Sequence, residues 1–326
     1  MLSTKLKAAA GNSSEDATPY VDDVFSTWLY TGNGSTQTIT NGIDLAGKGG
    51  LTWLKSRSAA TDHKLTDTVR GTTKALISDT AGAQTTDANG LTAFNSTGFS
   101  LGTDSVYNTN AATYVSWTFR EAAKFFDVVT YTGTGSARTI AHSLGIAPGM
   151  VIVKRTDVSA NWQVYSNGLT SAAYSMQLNL TNAQASAPTV WNSTAPTSSV
   201  FSVGTDATVN ASGGTYVNYL FATCAGVSKV GSYTGNGTTQ TINCGFTGGA
   251  RFVLIKRTDS TGDWYVYDTA RGMTTLTDPY LLLNSTAAES ATLGSVTTVS
   301  TGFAVNASIL AAINTNAATY IFLAIA

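Results

Sequence analysis

Near the end of each third of the chain, apolar and polar residues alternate. Val115, Trp117 and Phe119 share one face of an extended segment, while Tyr114, Ser116 and Thr118 share the other. Val217, Tyr219 and Phe221 repeat this, as do Ile321, Leu323 and Ile325. The period of two predicts strands with one face in a core. Glycine-rich turn signals at Thr31-Gly-Asn-Gly34, Ala211-Ser-Gly-Gly214 and Thr234-Gly-Asn-Gly237 punctuate short runs roughly 8–15 residues apart. No amphipathic helix of three turns is visible, and only Arg120-Glu-Ala-Ala-Lys124 looks briefly helical.

The strands belong to a larger repeat. Tyr30-Thr-Gly-Asn-Gly34 returns as Tyr131-Thr-Gly-Thr-Gly135 and Tyr233-Thr-Gly-Asn-Gly237, spaced 101 and 102 residues apart. Three further landmarks follow in the same order: a lysine after an apolar run (Lys55, Lys154, Lys256), a phenylalanine (Phe99, Phe201, Phe303), and the closing alternation. Solenoid units run roughly 20–50 residues because each cannot close its own core, whereas roughly 100 residues is a complete small domain. The predicted fold is therefore all-β: three tandem antiparallel β-sandwiches of jelly-roll type, preferred over barrels. They span 23–124, 125–226 and 227–326, behind a polar N-terminal arm of residues 1–22. The connections are too short for free linkers, so neighbouring domains should touch.

Composition narrows the function. Only 11% of residues are charged and the formal net charge is −1, which leaves no basic footprint for nucleic acid or an anionic membrane. With 54 threonines the surface is polar without being ionic. Such a surface costs less to desolvate than a charged one, which suits large interfaces and external exposure. No apolar run reaches the roughly 18–20 residues of a membrane span, and residues 1–18 lack the apolar core of a signal peptide. Cys224 and Cys244 carry no disulfide framework and read as free buried thiols, although pairing stays open.

Candidate chemistry is sparse. Asp67-Thr-Val-Arg70 and Asp268-Thr-Ala-Arg271 each place an aspartate near an arginine, with Asp62, Asp263 and the shared lysines nearby. Repeat two carries Asn161, Ser166 and Leu169 at the aligned positions, so the set reads as structural ion pairs at turns, not as a catalytic or metal site. His63 stands where the other repeats have Trp162 and Trp264, and so replaces an aromatic wall. The two tryptophans belong either to a core or to a platform for a sugar ring. No catalytic set, cofactor motif or metal motif is present in the sequence, and no enzyme activity is expected.

The strings Tyr20-Val-Asp-Asp-Val-Phe-Ser-Thr-Trp28, Gly49-Gly-Leu-Thr-Trp-Leu-Lys55, Leu91-Thr-Ala-Phe-Asn-Ser-Thr-Gly-Phe99 and Tyr114-Val-Ser-Trp-Thr-Phe-Arg120 carry a resemblance along essentially the whole chain. The chain resembles a repeated β domain of unknown function found in virion proteins of marine tailed bacteriophages, often labelled tail-fibre or lectin-like. The resemblance implies a virion location and a tail fibre or tail-associated appendage with a possible host-attachment role. A capsid decoration protein is the alternative, and a glycan depolymerase a more distant one. Residues 1–22 would bind other virion proteins in a homo-oligomer, expected to be a trimer, and a host surface glycan is a possible partner through Trp162 and Trp264.

Overall fold

The computed structural model describes residues 18–273, 278–292, 294–307 and 311–326. Among them the chain is all-β, arranged in several antiparallel sheets. Each repeat builds a main sheet with the same strand order. An opening strand (Phe25–Thr31, Phe126–Thr132, Ser228–Thr234) pairs with the closing strand (Thr113–Arg120, Thr215–Ala222, Thr319–Ile325). The closing strand pairs in turn with the lysine strand (Gly50–Ser56, Pro148–Arg155, Phe252–Arg257). The lysine strand then pairs with an aspartate strand (Lys64–Asp67, Gln163–Ser166, Trp264–Asp268), which takes its name from repeats one and three. Register is shared as well: Trp53 faces Trp117, Ile152 faces Tyr219, and Leu254 faces Leu323. A smaller sheet in each repeat pairs Gln37–Thr40 with Gly98–Leu101, Arg138–Ala141 with Val200–Val203, and Gln240–Asn243 with Gly302–Val305.

The repeated Tyr-Thr-Gly-x-Gly string has a steric cause. A Cβ on Gly32, Gly133 or Gly235 would lie 2.1–2.2 Å from the carbonyl oxygen of Thr109, Ala211 or Thr315, far inside van der Waals contact. The second glycine of each string has φ near +70°, where side chains are strained. The tyrosine stacks on its cross-strand partner: Tyr30 on Tyr114, Tyr131 on Tyr216 and Tyr233 on Tyr320, with centroids 4.9–5.0 Å apart. A buried asparagine then locks the turn from the far side. Asn108, Asn210 and Asn314 each accept from the amide of the residue between the two glycines, at 2.9, 2.9 and 3.1 Å.

The sequence reading gives the closing strand one buried face; both of its faces are buried. Tyr114, Tyr216 and Tyr320 point into cores private to their own repeats, shared with the small sheets through Phe99, Phe201 and Phe303. The alternate residues, Val115, Trp117 and Phe119 with their counterparts, join one apolar cluster to which all three repeats contribute. The correction has a physical reason: the inward face of each main sheet is covered by the other two main sheets, not by its own partner sheet. The three sheets thus surround a common centre, where a cavity of about 10 Å³ between Trp53, Ile152 and Leu254 is too small to hold more than one water. Where the expected arm meets the first repeat, Val21–Val24 forms a helical turn with Val24 buried in the shared core. Residues 1–17 of the expected arm lie outside the described residues.

Repeat one pads its private core with hydroxyls. Thr52, Thr66 and Ser116 are fully buried, and their side-chain oxygens have no hydrogen-bond partner among the described residues. Valine occupies the position of Thr52 in both other repeats, as Val151 and Val253. Thr52→Val should therefore stabilise the protein by about 1 kcal/mol, since it removes a desolvated, unpaired hydroxyl at nearly constant shape. Trp117→Ala, in the shared core, should cost about 3–5 kcal/mol. Urea titrations of both variants check the pair, and a destabilised Thr52→Val would mean that its hydroxyl is satisfied in solution.

Candidate functional site

The titratable and aromatic residues singled out by sequence converge on the seams between repeats, and the seams follow one cyclic rule. Backbone amides of Gln84, Gln184 and Glu289 donate across them to the carbonyls of Thr156, Thr258 and Arg57, all at 2.9 Å. Ring nitrogens of Trp162, Trp264 and His63 reach the carbonyls of Ile77, Gln177 and Leu282, each at 3.0 Å. Repeat one is thus bonded to two, two to three, and three back to one. The last seam closes the ring without a covalent link, and it adds an ion pair between Arg57 and Glu289 at 2.8 Å.

His63 keeps the geometry of the tryptophans it replaces. Its Nδ1 accepts from Trp53 Nε1 at 3.0 Å, which leaves Nε2 as the donor to Leu282. Burial, with Lys55 nearby, lowers its pKa to about 3, so it remains neutral and is no general base. Trp162 and Trp264 are each 0% exposed. The sugar-platform role is therefore corrected: no ring can stack on indoles enclosed by the neighbouring repeat. Lys154 and Lys256 also cross the seams, donating to the carbonyls of Ala81 and Thr181 at 3.0 and 3.1 Å. Burial lowers Lys55, Lys154 and Lys256 to about 8.

The aspartate–arginine pairs are salt bridges of 2.6 Å, Asp67 with Arg70 and Asp268 with Arg271. Each also accepts from an aromatic residue of the next repeat. Asp67 takes the Tyr219 hydroxyl at 2.9 Å, and Asp268 takes Trp117 Nε1 at 3.0 Å. This explains the departure of repeat two. The closing-strand position held by Trp117 and Tyr219 is Leu323 in repeat three, which offers no proton to a carboxylate. A buried ion pair facing leucine would be desolvated with one fewer partner, and Ser166 and Leu169 stand there instead. Among the described residues no group of three His, Cys, Asp or Glu could hold a metal. Cys224 and Cys244 are free and buried, and burial pushes the Cys244 thiol up to about 12, which makes it a poor nucleophile.

One position breaks the pattern. Asn179 and Asn284 each accept from the amide of the seam tryptophan and donate onward, to Asn161 at 2.9 Å and Asp263 at 2.8 Å. Repeat one has Asp79, whose Oδ1 accepts from the His63 amide at 2.9 Å while Oδ2 is buried without a partner among the described residues. Burial raises the Asp79 pKa, and the nearby Asp62 charge adds to the effect. A raised folded-state pKa means that stability is lost as pH climbs from the unfolded value towards the folded one, and the whole cost is present above it. Asp79→Asn should accordingly stabilise the protein by about 1 kcal/mol at pH 7 and much less at pH 3, where Asp79 is itself protonated. Denaturation at the two pH values checks this, and a loss of stability at pH 7 would show that Oδ2 has a partner of its own.

Two open clefts occupy equivalent places beside the opening strands. One, of about 470 Å³, is lined by Ser26, Asn41, Arg251 and Thr269, and the other, of about 490 Å³, by Asn167, Lys229 and Asn243. Neither brings a nucleophile to a base. No curated protein matches the chain. The family model described as Domain of unknown function (DUF7483) matches residues 21–326, and the chain belongs to that family.

Proposed function

We propose that the chain is a structural protein of a bacteriophage virion, a tail fibre or tail-associated appendage able to touch the host surface. Each repeat is read as a jelly-roll-like sandwich, with limits near 124 and 226. The observation that carries the proposal is the absorption of chemistry into architecture. His63, two of the three shared lysines, Lys154 and Lys256, and both aspartate–arginine pairs are all spent on joining repeats. What remains for the surface is a threonine-rich, nearly neutral exterior on a rigid body, which suits an exposed, load-bearing part and not a hydrolase. Residues 1–22 would fasten the body to other virion proteins, in a homo-oligomer that we take to be a trimer.

A second reading, a capsid decoration protein, is favoured by one feature: three equivalent repeats around one centre match the threefold positions of a capsid lattice. An asymmetric reconstruction of the particle decides. Density for this chain on the tail supports the first reading, density on the head replaces it with the second, and absence from the particle contradicts both.

A further inference from the structure

Repeat two contains a half-open cleft of about 330 Å³ alongside the strands Gln163–Ser166 and Tyr174–Gln177. Its origin is visible in the other repeats. In repeat one the corresponding space is filled by Lys64, whose Nζ lies 2.8 Å from Asp87, and by Tyr107, whose hydroxyl donates to the same carboxylate at 2.9 Å. In repeat three it is filled by Tyr265 and Tyr280, with rings 5.4 Å apart. Repeat two replaces Lys64, Asp87 and Tyr107 with Gln163, Ala187 and Val209, and Tyr280 with Ser175. The strands are unchanged, so the side chains that would plug the space are simply missing.

The cleft is lined with unused polar groups. Gln163 is 5% exposed, and its Oε1 accepts from Ser175 at 2.8 Å. Its amide NH2 has no hydrogen-bond partner among the described residues and lines the open cleft, where it is free to donate to a ligand. Asp206 spends Oδ1 on the amide of Thr208 at 2.8 Å and keeps Oδ2 unpaired among the described residues. Asn182 stands where repeat one has Gly82 and adds a third polar side chain. Ala185, Ala187 and Val190 supply an apolar wall.

We propose that this cleft binds a single neutral sugar residue, with Gln163 donating to a ring or hydroxyl oxygen and Asp206 and Asn182 accepting from hydroxyls. The lining dictates the class. Its one ionisable group is a carboxylate, which repels anions. A polar edge opposite an aliphatic wall matches a pyranose, which has hydroxyls at its rim and C–H bonds on its face. The volume lies at the small end of ligand sites and has room for one ring. The proposal deepens the host-contact part of the function above. It is measured on the isolated chain, so its failure leaves the virion location untouched, and a misplaced chain could still bind sugar.

Saturation-transfer NMR on the full chain tests it, using the methyl glycosides of glucose, galactose, mannose and N-acetylglucosamine. Tetramethylammonium and gluconate serve as cationic and anionic controls. At least one glycoside should saturate with a Kd on the order of millimolar, as befits one ring with few contacts. Gln163→Tyr, which installs the residue of repeat three, and Ala187→Leu, which fills the cleft from the other side, should each weaken it at least about tenfold with the melting temperature retained. Silence from all four glycosides overturns the proposal, as does preference for the ammonium ion or binding that survives both substitutions.

Discussion

Everything else in the molecule depends on the three main sheets being buried on both faces. A sheet in an ordinary two-layer domain turns one face to its partner sheet and one to water. Here the inner faces meet each other, and residues such as Phe119, Met150, Phe221, Phe252 and Ile325 leave water through contacts that no single repeat could supply. A repeat alone would expose that whole face. The private cores of the repeats are smaller clusters, and that of repeat one is interrupted by buried hydroxyls. The duplication is thus less a string of independent domains than one body assembled from three copies of a half-satisfied unit.

This constraint accounts for where polar chemistry survives and where it lapses. A backbone group, lysine or indole at a seam must find a partner in the adjacent repeat, because water is excluded there. The bonds therefore recur with the ring. Where a neighbour offers a proton, as Tyr219 and Trp117 do, an aspartate–arginine pair receives it; where it offers Leu323, the pair is absent. His63 shows the same economy, since an imidazole with its tautomer fixed by Trp53 does what an indole does elsewhere.

Much of the fold was legible in the sequence because tandem repeats carry their own comparison. The spacing of Tyr30, Tyr131 and Tyr233, the strand alternation and the lysine landmarks fixed the repeat and its strands. The second face of the closing strand was not legible: Tyr114, Ser116 and Thr118 look like a solvent face, and only the stacking on Tyr30 and the covering small sheet bury them. The tryptophans were open between core and sugar platform, because period two places Trp264 with Val266 and Asp268 on one face without saying that another repeat covers it. The buried asparagines had a signal, since Asn108, Asn210 and Asn314 each sit six residues before the closing tyrosine. The cleft of repeat two had none, because an absence such as Ala187 for Asp87 has meaning only once the strands are superposed.

If the shared core makes the repeats one cooperative unit, heat should unfold them together. Differential scanning calorimetry tests this directly through the ratio of calorimetric to van't Hoff enthalpy. Three copies melting as one body give a ratio of about 1, whereas three independent domains give about 3 even when their transitions overlap. A ratio near 1, with a single transition that Trp117→Ala shifts as a whole, is the predicted result. A ratio near 3, or a substitution at Trp117 that lowers the melting of repeat one alone, would contradict the account.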